Sequence, residues 1–74
     1  MSPTMMRQFW SLVDGVRSSI PLSLDDTGLE QWLLRQLRSE QSLNHHEAII
    51  VRAYIHTRLP LIRDLAQEHQ SLAY

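Results

Sequence analysis

The sequence predicts an all-α protein, a small three-helix bundle, and three observations carry that expectation. Apolar residues recur at alternating steps of three and four along most of the 74 positions. Residues able to cap a helix stand ahead of each such run, and prolines fall where helices begin, stop or bend. The length suits one core and not two, so a single helical domain over residues 1–74 is expected.

The first helix is expected over residues 3–19. Met6, Phe9, Val13, Val16 and Ile20 follow the helical step, with Met5 and Leu12 beside them. Together with Trp10 they cover an arc of about 160°, and Arg7, Gln8, Ser11, Asp14 and Ser18 fill the other side. Ser2 can accept from the free amides of the first turn, and Pro3 lacks only an N–H that would have no partner there. Pro21 drives Ile20 out of helical geometry and ends the element. Gly15 sits on the polar face and weakens the helix relative to alanine.

The second helix is expected over residues 24–41. Two starts compete, because Ser23 with Asp26 and Thr27 with Glu30 both have capping-box spacing. The earlier is preferred, although it places Gly28 in the first turns. Leu29, Trp32, Leu33, Leu34 and Leu37 then spread over about 200°, a face wide enough to be buried on two sides or to meet another chain.

The third helix is expected over residues 45–69. Asn44 and Glu47 form the clearest capping box in the chain, and Leu43 with Ala48 can staple it. Two apolar rows follow, one of Val51, Ile55, Leu59, Ile62 and Ala66, the other of Ile50, Tyr54, Leu61 and Leu65. Pro60 removes a hydrogen bond to the carbonyl of His56, so a kink is expected there. Because the rows stay in phase across it, one bent helix is expected and not two. Residues 71–74 are expected to fray.

Composition limits function. With 43% hydrophobic and 20% charged residues the chain has the makeup of a folding domain. It has no cysteine, hence no disulfide or thiolate site, which fits a cytoplasmic setting. A domain this small without such staples is expected to complete its core against a second subunit, as a homodimer or larger assembly. The net charge of −1 offers no general grip on nucleic acid or an anionic membrane. No apolar run approaches the ~20 residues that span a bilayer, and no secretion signal is visible.

No catalytic, metal or cofactor site is expected. His45, His46, His56 and His69 include no pair at the i, i+4 spacing that puts two imidazoles on one face. Asp25 and Asp26 suit a first helical turn, and Asp64 with Glu68 suits a solvated edge. Two glycines cannot make a phosphate loop, and no serine stands in a nucleophile elbow. So small a bundle also has little room for an enclosed pocket.

The candidate partner-binding residues are Trp10, Trp32, Arg52, Arg58 and Arg63. Tryptophan is enriched at the centres of interfaces, although core filling explains both residues as well. Arg52 and Arg63 share a face of the third helix with His56, Arg58 lies on another, and the second and third helices have the outline of a helix-turn-helix. A nucleic-acid regulator using these arginines is therefore the alternative reading, opposed by the missing basic excess.

The run Tyr54-Ile55-His56-Thr57-Arg58-Leu59-Pro60-Leu61-Ile62-Arg63-Asp64-Leu65-Ala66, with Phe9-Trp10-Ser11-Leu12-Val13 upstream, resembles short uncharacterised all-helical proteins found in cyanobacteria. The resemblance covers under half the chain. It implies a cytoplasmic helical protein and transfers no activity and no site residue. The leading expectation is a non-catalytic protein-protein interaction or adaptor protein, a helical module whose partner includes itself.

Overall fold

Three helices make up the ordered framework of the computed structural model, which describes residues 2–72: α1 (Pro3–Val16), α2 (Asp26–Glu40) and α3 (His45–Leu72). They run up, down and up. Trp10 meets Tyr54 and the Gln70 amide reaches the carbonyls of Arg17 and Ile20, so α1 and α3 are parallel. Asp26 meets Arg63 and Glu30 meets His56, so α2 is antiparallel to α3. Among the described residues there is no strand, and the all-α bundle expected from the periodicity is the architecture found.

α1 starts as its sequence requires, with Ser2 Oγ accepting from the Met5 amide at 3.1 Å and Pro3 in the first turn. It stops at Val16, short of the expected Ser19. The Ser19 amide donates to the Val16 carbonyl at 2.8 Å, an i to i+3 contact that tightens the chain into a turn ahead of Pro21.

The start of α2 corrects the preferred reading. Asp25, not Ser23, is the cap, and its carboxylate accepts from the Gly28 amide at 2.8 Å. Gly28 is part of that arrangement. A Cβ there would lie 3.0 Å from Asp25 Oδ1 and 3.4 Å from the Leu24 Cβ, so a side chain would crowd the capping carboxylate.

The box at α3 is reciprocal, with the Glu47 amide donating to Asn44 Oδ1 at 2.7 Å and the Asn44 amide to Glu47 Oε1 at 3.0 Å. α3 passes through Pro60 as one helix and sets the 39 Å long axis of the molecule. It also extends to Leu72, beyond the expected end near residue 69. Gln70 explains part of this, because its side-chain amide donates to the carbonyls of Arg17 and Ile20, both at 3.1 Å, tying the last turns to the end of α1. The fraying expected of Ala73 and Tyr74 lies outside the described residues.

The core is a single cluster. Phe9, Leu12 and Val13 of α1, Leu29, Leu33 and Leu37 of α2, and Val51, Ile55, Leu59, Ile62 and Ala66 of α3 are buried in it, closed at one end by Ile20. The wide arc of α2 is accounted for here. Leu29, Leu33 and Leu37 point into the core, and Trp32 and Leu34 pack half-buried against it.

Gly15 has no such role, since a Cβ there would meet nothing within 4 Å. Gly15→Ala should therefore stabilise the protein by about 0.5–1 kcal/mol, raising Tm by about 2–8 °C. Thermal unfolding followed by circular dichroism checks this, and an unchanged or lower Tm would contradict it.

Candidate interaction surface

Several of the polar side chains that looked available for chemistry hold the helices together. Glu30 lies within the apolar arc of α2 and is only 6% exposed. Two residues one turn apart on α3 meet it: His56 Nδ1 lies 2.8 Å from Glu30 Oε2, and Arg52 Nε lies 3.6 Å from Oε1. An acid inside an apolar arc must be matched across the interface, since an unpaired buried carboxylate is costly. That was the signal in the sequence for this cluster, which a reading of Glu30 as a cap residue passes over.

The hydrogen bond to Glu30, and next its negative charge, hold the His56 pKa above the ordinary 6.5. The protonated imidazole is the form that Glu30 favours. Its contribution to stability is thus complete below pH 6.5 and is lost as pH rises through the elevated folded pKa. Titration of the His56 ring proton by NMR should give a midpoint above 6.5, and Glu30→Gln should lower it. A wild-type midpoint at or below 6.5 would be inconsistent with the pairing.

Arg63 anchors the connection between α1 and α2. Its guanidinium donates to the carbonyls of Leu22 at 3.3 Å and Leu24 at 2.8 Å, and to Asp26 Oδ1 at 3.0 Å. Arg58 lies over the Tyr54 ring, 5.2 Å from its centroid. Arg52, Arg58 and Arg63 thus each have a partner within the molecule, and they do not form one free stripe.

The tryptophans also have internal roles. Trp10 donates its indole N–H to the Tyr54 hydroxyl at 2.9 Å, and Phe9, Trp10 and Tyr54 pack edge to face with centroids 5.2–6.3 Å apart. Trp32 is half-buried against the core. The side chains named for partner binding are therefore largely scaffold. Among the described residues no group of three or more His, Asp or Glu is placed to hold a metal, and no helix is long and apolar enough to cross a membrane.

The two most exposed large apolar side chains stand on the outward face of α3, while Met6 and Leu24, each 37% exposed, lie elsewhere. Ile49 is 55% exposed, Leu61 47% and Ile50 37%, and Ala53 and Pro60 are exposed between them. At 100° per residue, His46, Ile50, Ala53, Thr57, Pro60 and Asp64 form one row opposite the core row, flanked by Ile49 and Leu61. Beside Ile49 a shallow groove lies between α2 and α3, lined by Leu34, Arg38, His45, Ala48 and Arg52 at one end and by Glu30, Ala53 and His56 further along.

The chain matches no known family model, no curated protein and no solved structure.

Proposed function

We propose that this chain is a non-catalytic protein-protein interaction module of the cytoplasm, whose recognition surface is the outward face of α3 with the adjoining α2/α3 groove. The observation that carries the reading is the exposure of Ile49, Ile50 and Leu61 on one helix, while the core is complete without them. Exposed isoleucine and leucine gathered along one face mark a surface that gains from being covered.

The chemistry elsewhere agrees. Glu30, Arg52, His56 and Arg63 are engaged in holding helices and a loop, so these four groups serve the scaffold. The same engagements weigh against the nucleic-acid alternative, since a phosphate would have to compete with Glu30 and Asp26 for Arg52 and Arg63.

A photoreactive amino acid placed at position 49 or 61, and irradiated in the cells that make the protein, should give a discrete covalent adduct from both positions. The same group at Gln8, on the exposed polar side of α1, should not. No adduct at 49 or 61 above the Gln8 background would overturn the reading.

A further inference from the structure

We propose that the α2/α3 groove receives an acidic, amphipathic segment of a partner protein, its carboxylates meeting Arg35 and Arg38 and its apolar side chains covering Leu34 and Ile49. The inference rests on the interaction reading above and adds the chemistry of the partner. Charge and polarity on the two walls of the groove carry it.

The α2 wall is basic. At 100° per residue, Thr27, Gln31, Leu34, Arg35 and Arg38 share the side of α2 that turns from the groove to solvent, and none of them is acidic. The acids of this helix, Asp26, Glu30 and Glu40, fall on or beside the sector of Leu29, Leu33 and Leu37. Arg35 and Arg38 are exposed, one turn apart, and line a single hollow with Gln31 and Leu34. Among the described residues neither arginine has a carboxylate partner, since the ion pairs there engage Arg17, Arg52, His56 and Arg63.

The α3 wall adds no negative charge. His45, Ile49, Arg52 and His56 fall within about 60° of one another. Glu47, the acid of the same stretch, is turned to the other side, toward Ser2 and Met5. The one carboxylate lining the groove is Glu30, which is buried and already engaged by His56 and Arg52. With Arg52 set against Glu30, the charges of Arg35 and Arg38 remain uncompensated in a chain whose net charge is −1. Arginine forks favour carboxylates, which they can hold through two parallel hydrogen bonds.

Between the arginines lies an apolar strip. Leu34 is half-buried, Ala48 is buried and Ile49 is 55% exposed. Nucleic-acid phosphates would answer the charge and leave Leu34 and Ile49 uncovered. A segment with apolar side chains on one face and carboxylates beside them answers both, the usual fit of an amphipathic segment to a groove.

A photoreactive amino acid at position 49 of the full-length chain, irradiated in the cells that make the protein, tests this when the linked segment is sequenced by tandem mass spectrometry. That segment should hold more Asp and Glu than Lys and Arg, with apolar residues among them. Arg35→Glu combined with Arg38→Glu should reduce the adduct at least about tenfold, because like charges meeting across an interface weaken binding by that much or more. Arg35→Lys combined with Arg38→Lys should keep a larger share of it. Both positions are exposed, so the helical circular dichroism should stay unchanged. A neutral or basic linked segment, a segment from a second copy of this chain, an adduct at 61 but not at 49, or an adduct undiminished by the glutamate pair would overturn the inference and leave the interaction reading standing. A nuclease-sensitive adduct, or none at 49 or 61, would remove that reading as well.

Discussion

Phe9→Ala should bring the protein to the edge of unfolding at 25 °C. Phe9 is fully buried where α1 meets the other two helices, and its ring packs edge to face against both Trp10 and Tyr54. Truncating a buried phenylalanine removes its transfer free energy and leaves a cavity, together about 3–5 kcal/mol. A domain of this length has roughly 4–11 kcal/mol of stability in total. The cavity cannot close easily, because the walls come from three helices whose other core positions are already filled. Urea unfolding followed by far-ultraviolet circular dichroism should show most of the stability gone. A loss under about 1 kcal/mol, the scale of an ordinary surface or minor packing change, would mean that α1 does not close the core as described.

Arg63→Ala should have the next largest effect, about 2 kcal/mol, from the loss of several charge-assisted hydrogen bonds at a largely covered site. The guanidinium joins two loop carbonyls and a carboxylate on α2 to α3, so its removal loosens the whole connection between α1 and α2. The expected fall in Tm is about 8–16 °C. Arg63→Lys should recover less than half of it, because an ammonium lacks the planar fork that reaches three acceptors at once. Equal stability of the Lys variant and wild type would show that only the charge matters. Wild-type stability in the Ala variant would show that the loop holds itself.

These two residues mark the boundary of what periodicity reveals. Phe9 lies on the expected buried row, and the caps at Ser2 and Asn44 were legible because local spacing alone determines them. Asp25 was not legible as the cap of α2. Three neighbouring side chains can each cap a helix, and the choice depends on Gly28 leaving space for the Asp25 carboxylate. The same limit applies to Arg63 and Gln70. Their partners are backbone carbonyls 39–53 positions away, and a carbonyl has no side-chain signature. Sequence spacing grouped Arg52, His56 and Arg63 on one face correctly, but what that face meets is Glu30, Asp26 and a loop.

The outward face of α3 was hidden for a related reason. Ile50 and Leu61 belong to an apolar row directly beside the buried one, and the wheel alone does not say where coverage by α1 and α2 stops. Only the packing shows that the core is closed by Val51, Ile55, Leu59, Ile62 and Ala66, with the neighbouring rows left at or beyond its edge.

The isoleucine methyl groups give the most direct test of this account. Ile20, Ile55 and Ile62 are buried, whereas Ile49 and Ile50 are exposed. Relaxation of their methyl signals by an inert gadolinium chelate reads that contrast directly. Ile49 and Ile50 should relax strongly and Ile20, Ile55 and Ile62 weakly. Equal relaxation of all five would contradict a core closed without Ile49 and Ile50.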